Sequence, residues 1–166
     1  MNSSSETTSS GTHANKTGNR LEKFVRQALI DYGYKEFWNY KEQVFANRKT
    51  VGGKQFSCHV AVGKTIYETK RIVDFLVINH DLFPEGLIIE CKWQQSGGSV
   101  DEKYPFLLYN IMRTGVPTIL LLDGGGYKKE AEKWIREQAN PARALMHVWN
   151  MSEFQKAVNN GLFGLG

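Results

Sequence analysis

Apolar residues along this chain follow two rhythms. Leu21, Phe24, Val25, Ala28, Leu29 and Tyr32 recur at i, i+3, i+4 spacing, the period of an amphipathic helix. A helix is therefore predicted over residues 19–32, stopped by Gly33, since glycine just past the last turn ends helices. Glu22 lies ~20° round the helix from Leu29, at the border of the apolar stripe. A carboxylate there reaches the rim of whatever the helix packs against. Extended patterning follows. Residues 41–46 read as a possible strand and NRKTVGGK (47–54) as a basic, glycine-bearing turn. QFSCHVAV (55–62) and, after Gly63, TIYETKRIVDFLVIN (65–79) read as strands. HDLFPEG (80–86) carries turn residues, LIIECKW (87–93) is the next strand and QQSGGS (94–99) a loop.

Helical spacing returns over 100–114 through Tyr104, Leu107, Leu108, Ile111 and Met112, with Ser99 and Glu102 placed as a capping box. Pro105 would lose a hydrogen bond inside a helix, so the regular helix is expected to begin at Pro105 and to end at Gly115 and Pro117. VPTILLLD (116–123) reads as a buried strand, GGG (124–126) as a turn, and 127–139 as a helix of mixed charge. ALMHVW (144–149) is a last strand, and Ser152 with Gln155 forms a second capping box opening a helix over 152–160. The order is helix, three or four strands, helix, strand, helix, strand, helix. There is no internal repeat and no second domain.

Charge enters two of these strands where it is costly. Asp74 sits among Ile72, Val73, Phe75 and Leu76, and Glu90 follows Leu87, Ile88 and Ile89. Near-continuous apolar strands belong to a sheet covered on both faces. An uncompensated carboxylate there costs several kcal/mol, by order of magnitude. Side chains at i and i+2 share a strand face, so Glu90, Lys92 and Gln94 are expected to project together. The short HDLFPEG connection makes the two strands neighbours, which lets Asp74 face the same spot. The bland alternative is a same-face Glu90–Lys92 ion pair with Asp74 bonded to Arg71 or Lys70. It leaves unexplained why charge enters these strands at all. Two carboxylates and a lysine suit phosphodiester hydrolysis. Hard oxygens hold Mg²⁺, the ion acidifies bound water, and a lysine orients that water or stabilises the pentavalent transition state.

Composition narrows the classes. The chain has 166 residues, 41% of them hydrophobic, with net charge +4 and pI about 9.0. That suits one domain with a core and agrees with a polyanionic partner. MNSSSETTSSGTHANKTGNR has no hydrophobic stretch, so it reads as no secretory signal. Residues 1–17 are expected to be a disordered polar tail and 18–166 the domain. Cys58 and Cys91 are the two cysteines. They form no disulfide framework, which points to a reduced, cytoplasmic setting. With His59 they match no zinc spacing. His13, His80 and His147 show no catalytic partner spacing. GGGYKK (124–129) lacks P-loop spacing. No apolar run reaches the ~18–20 residues of a membrane span.

Asp74, then fifteen residues, then Glu90-Cys91-Lys92 resembles the PD-(D/E)XK nuclease superfamily of restriction endonucleases, Holliday-junction resolvases and relatives. The order from helix 19–32 to strand 116–122 also resembles its αβββαβ core. The motif is short, and its placement on two successive apolar strands makes it specific. Val73 stands where the family name has proline; that residue carries no chemistry and varies among members.

The resemblance implies an α/β, restriction-endonuclease-like fold with a mixed central sheet, extended by a C-terminal α-β-α segment. It implies metal binding by Asp74, Glu90 and the Cys91 backbone carbonyl, with Lys92 catalytic. Glu22 would be an outer ligand or serve a second metal. Gln94 and Gln95 fall where some members place a polar residue near the scissile phosphate. Arg48, Lys49 and Lys54 on the basic turn, Lys70 and Arg71 at a strand end, and Lys103 are candidate DNA contacts. Each could equally be an ordinary solvated or strand-flanking charge. The expected activity is a Mg²⁺-dependent DNA endonuclease, with Mn²⁺ as substitute, acting as a homodimer in restriction. The alternatives are a junction-type or repair nuclease, or a silent DNA-binding subunit of the same fold.

Overall fold

A computed structural model describes residues 10–37, 41–97 and 101–165. A six-stranded sheet organises them. Its strands are β1 (Lys35–Glu36), β2 (Gln55–Lys64), β3 (Lys70–Asn79), β4 (Phe83–Trp93), β5 (Thr118–Asp123) and β6 (Leu145–Trp149). They lie side by side in chain order. β2, β3 and β4 form an antiparallel meander, while β5 runs parallel to β4 and β6 parallel to β5. The parallel steps require crossovers, which α3 (Tyr104–Thr114) and α4 (Lys129–Gln138) supply. α1 (Ser10–Asp31), α2 (Lys41–Val44) and α5 (Met151–Asn159) complete the chain. This is the mixed α/β architecture that the patterning predicts.

Both faces of the sheet are covered. Leu21, Val25 and Leu29 of α1, with Phe154 and Val158 of α5, pack on Phe75, Val77, Leu87, Ile89, Ile119 and Leu121. On the other face, Tyr104 and Ile111 of α3 and Ile135 of α4 meet Leu120, Leu122 and Val148. Each such buried side chain contributes about 1.5–3 kcal/mol. β4 alternates between these layers. Leu87, Ile89, Cys91 and Trp93 turn to the α1 face. Ile88 and, beyond it, Glu90 and Lys92 turn to the α3 face. Strand periodicity thus places the motif's two charges on one side and its cysteine on the other.

Several boundaries differ from expectation. α1 begins at Ser10 rather than at 19, so helix runs back into the stretch expected to be a disordered tail. Once Leu21–Leu29 is packed, extending a helix is far easier than nucleating one. Residues 41–44 are helical, not extended. Val44 is buried against Val60, Val62 and Val73, so a packing demand outweighs local strand preference. The 65–79 segment is interrupted by a turn at 65–69, closed by the paired Thr65 and Thr69 hydroxyls at 2.7 Å. β4 starts at Phe83, because Asn79 pairs with Phe83 and leaves only a tight turn between them. α3 starts at Tyr104 with Pro105 in its first turn, where the missing N–H is not needed. Ser99 lies outside the described residues. The last capping box is Asn150 with Glu153, not Ser152 with Gln155. Asn150 accepts from the Glu153 amide at 2.8 Å, and Glu153 accepts from the Asn150 amide at 2.7 Å. No helix among the described residues is long and apolar enough to cross a membrane.

His147 on β6 stacks on Trp149, with ring centroids 4.2 Å apart and 12° between planes. Burial lowers its pKa below the ordinary 6.5. The unfolded chain then binds the proton more readily than the folded one. Its contribution to stability is complete above pH 6.5 and is lost as pH falls through the folded pKa. A His147→Gln variant is expected to show a smaller drop in melting temperature between pH 7 and 5 than the wild type does.

Candidate active site

The β3–β4 ladder pairs Val77 with Leu87, Leu76 with Ile88 and Phe75 with Ile89, and ends there. The next residue on β3 is Asp74 and the next on β4 is Glu90. The Asp74 carboxylate accepts the Cys91 amide at 2.7 Å, taking the part of a backbone carbonyl where the strands separate. A strand residue presents N–H and C=O to the same neighbour, so the Cys91 carbonyl also faces this opening. On the other flank, His59 falls between the pairs Cys58–Phe75 and Val60–Val73, opposite Asp74. It has φ +52°, a left-handed conformation uncommon for a residue with a side chain. Packing changes sides at this kink. Phe56 and Phe75 belong to the α1 core, whereas Val60 and Val73 belong to the opposite one.

Glu22 enters from α1, beside buried Leu21 and Val25. His59 Nε2 stands 3.3 Å from its carboxylate. Burial raises the Glu22 pKa, and the Asp74 carboxylate raises it further, against smaller opposing effects of His59 and Lys92. Glu22 thus contacts His59 and lies within electrostatic reach of Asp74 and Lys92.

Glu90 is held from the other side. Its side chain is 5% exposed, and that of Arg71 is 4% exposed. Arg71 donates to the Asn110 carbonyl at 3.2 Å and to the Thr114 hydroxyl on α3, and it donates to Glu90 Oε1. Lys92 Nζ lies 3.5 Å from Glu90 Oε2. Burial pulls the Lys92 pKa down, but the Glu90 and Asp74 carboxylates outweigh it and leave the pKa above the ordinary 10.5. Lys92 is thus an ammonium at neutral pH, a donor and counter-charge rather than a free base. The Cys91 thiol is pushed well up, first by burial and then by Asp74 and Glu22. It stays protonated on the α1 face and is no nucleophile.

Among the described residues, no three His, Cys, Asp or Glu side chains converge closely enough to hold a metal ion. Arg71 and Lys92 engage both Glu90 oxygens, while Glu22 contacts His59 of β2 and Asp74 accepts from the Cys91 amide. The donor chemistry still fits a hard divalent cation. Glu22 and Asp74 repel one another, which a cation relieves, and the Cys91 carbonyl faces the same opening.

The basic candidates divide into two groups. Arg48 and Lys49 pair with Glu85, at 3.7 and 3.0 Å. Arg48 also donates to the Glu85 and Phe45 carbonyls. Lys54 donates to the Tyr32 and Leu165 carbonyls at 3.2 and 3.1 Å. Glu85 precedes Glu90 by about 17 Å of strand at ~3.4 Å per residue. The 47–54 turn is therefore at the far end of the sheet, employed in holding the chain together. Lys70, Arg71 and Lys103, by contrast, line one cavity with Glu90 and Lys92. Gln95 is exposed beyond β4. Gln94 is not a free member of the Glu90–Lys92 face. It is buried, with Nε2 donating to the Ser96 and Gly126 carbonyls at 3.2 and 3.3 Å.

Three features escaped the sequence reading. His59 interrupts an apolar strand opposite Asp74, a polar intrusion that could have marked it. Arg71 bonds Glu90 rather than Asp74, a choice made by Asn110 and Thr114 on a distant helix. The triple glycine is more than a turn. A Cβ at Gly126 would lie 2.3 Å from the Gln95 carbonyl carbon, and one at Gly124 2.4 Å from the Gln94 oxygen. Only glycine lets this loop lie against the chain leaving β4.

No curated protein and no solved structure matches the chain. A family model described as a PD-(D/E)XK nuclease superfamily domain matches residues 13–162. That span includes the whole sheet, the split between β3 and β4, and Glu22, Asp74, Glu90 and Lys92. With most of its length matched and the motif at the point where two neighbouring strands part, the chain belongs to the PD-(D/E)XK nuclease superfamily.

Proposed function

We propose that this protein is a divalent-metal-dependent endonuclease that hydrolyses DNA phosphodiester bonds, with Mg²⁺ as its ion and Mn²⁺ as a substitute. The observation that carries this reading is the end of the β3–β4 ladder at Phe75–Ile89. Asp74 and Glu90 are the next residues on the two strands there, Lys92 pairs with Glu90, and Glu22 enters from α1. Asp74, Glu90 and the Cys91 carbonyl would hold the ion, with Glu22 as an outer ligand or in a second site. The ion, when bound, supplies acidification of water and neutralises charge building on phosphorus.

The chain's own residues do the rest. The Lys92 ammonium donates to a phosphate oxygen or orients the attacking water, and stabilises the transition state there. Arg71 balances Glu90 and fixes its direction from α3. Lys70 and Lys103 offer positive charge to the backbone phosphates of the bound strand. Two subunits acting together would cut both strands, which makes a homodimer the assembly to expect. The intact acid–acid–lysine set argues against a silent DNA-binding subunit.

The superfamily's restriction enzymes are the first model for the biological role, and structure-selective or repair nucleases the second. Mapping the ends of plasmid DNA cut in Mg²⁺, beside an assay on a four-way junction, separates them. Discrete duplex sites support restriction, and cuts confined to junctions or random nicks support the second model. An enzyme that cuts none of these substrates contradicts the proposal.

A further inference from the structure

One wall of a cavity of about 350 Å³ on the α3 face carries part of the proposed catalytic set. Glu90 and Lys92 form that wall. Ile72, Phe106 and the nearly buried Tyr104 also line it. Tyr67 stacks on Phe106, with centroids 5.0 Å apart and 28° between planes, which covers one side of the Phe106 ring and fixes its plane. Tyr67 is itself 73% exposed, and Ile72 is 50% exposed, so large apolar side chains stand in water at this site. Lys70 and Lys103, both exposed, also line the cavity. The one carboxylate present, Glu90, is already neutralised by Arg71.

A cavity of this size sits at the low end of the roughly 300–1,000 Å³ typical of ligand pockets. It has room for one heterocyclic base with its sugar and none for a duplex. Flat apolar walls with an aromatic ring and a cationic rim are the chemistry that takes a single nucleotide: the base stacks and the flanking phosphates meet lysines. A paired base inside a helix cannot enter, and only an unpaired or extruded one does. Lys92 lies on the cavity wall, so a base lodged there would put its own phosphate beside the catalytic set.

We propose that this cavity receives one unpaired base next to the scissile phosphate, so that the preferred substrate is DNA locally unpaired at the cut. The inference rests on the nuclease reading and favours its structure-selective form over restriction of uninterrupted duplex.

The test compares two duplexes of equal length, one fully paired and one carrying a single unpaired nucleotide. Affinities are measured by fluorescence anisotropy in EDTA at one salt concentration, and cleavage is then followed in Mg²⁺. Wild type is expected to bind the interrupted duplex about tenfold more tightly, the order of one base–aromatic stack, and to cut beside the unpaired base. Phe106→Ala removes a stacking wall, and Ile72→Trp fills the cavity from a half-exposed position that tolerates bulk. Both, once shown by melting curves to be folded, are expected to lose the preference. Equal affinity of wild type for the two duplexes overturns the cavity assignment while duplex cleavage leaves the nuclease reading standing. A preference that survives in both variants overturns it as well. Failure to bind or cut either duplex, with plasmid and four-way junction also left intact in Mg²⁺, removes the nuclease reading and this inference with it.

Discussion

Lys92→Ala is expected to leave DNA binding nearly unchanged and to lower the cleavage rate about 10²–10³-fold, the usual effect of removing one group aimed at developing charge. The expectation follows from where Lys92 sits. Its ammonium is 3.5 Å from Glu90 and remains protonated because Glu90 and Asp74 outweigh its burial. It contributes one positive charge, whereas in the proposed complex Lys70 and Lys103 offer others to the backbone. Substrate affinity therefore loses little, while the transition state loses a specific donor. Lys92→Arg is not a neutral exchange, since a planar fork cannot occupy the place of a compact ammonium. Single-turnover cleavage beside a binding isotherm separates the two quantities. A variant that binds tenfold less but cuts bound DNA at the wild-type rate would show Lys92 to be a backbone contact only.

Arg71→Ala is expected to destabilise the fold by about 3–5 kcal/mol, because it strips a buried carboxylate of its hydrogen-bonded partner and leaves it only Lys92 at 3.5 Å. For a chain of this size that is a fall in melting temperature of about 6–20 °C. Glu90 and Arg71 are nearly inaccessible, and Arg71 also ties β3 to α3 through Asn110 and Thr114. Adding Glu90→Gln to the Arg71→Ala background removes the stranded charge and should recover part of the loss. Thermal melts of the two single variants and the double variant measure the coupling directly. A shift for Arg71→Ala below about 1 °C would mean that Glu90 finds water or another cation when Arg71 is gone.

The contrast between Arg71 and Lys92 marks what the sequence made legible. The Glu90–Lys92 relationship is local. It depends only on the two-residue repeat of a strand, so it could be read from LIIECKW. The adjacency of β3 and β4 was readable for a similar reason, since a short turn between two apolar runs leaves little choice but a hairpin. Glu22 could be placed from helical geometry alone. Arg71 could be named as a candidate but not given its partner, because that partner is decided by α3, which lies far along the chain. The basic turn at 47–54 shows the same limit. Its charges read as candidate DNA contacts, and their partners in the fold, Glu85 and the Tyr32 and Leu165 carbonyls, lie too far along the chain to be read from it. His59 was missed because a left-handed residue within a strand has no period. The role of Gly124 and Gly126 depends on how closely another segment approaches them, which no local pattern encodes.

As proposed, Asp74, Glu90 and Lys92 form a metal-dependent site for cutting DNA. Nicking of supercoiled plasmid tests it most directly, with wild type and Asp74→Ala compared in Mg²⁺, in Mn²⁺ and in EDTA. Wild type is expected to nick the plasmid with either ion and not in EDTA, and Asp74→Ala to fail in all three. A wild-type protein that never nicks, or an Asp74→Ala variant that cuts at the wild-type rate, would contradict the proposal.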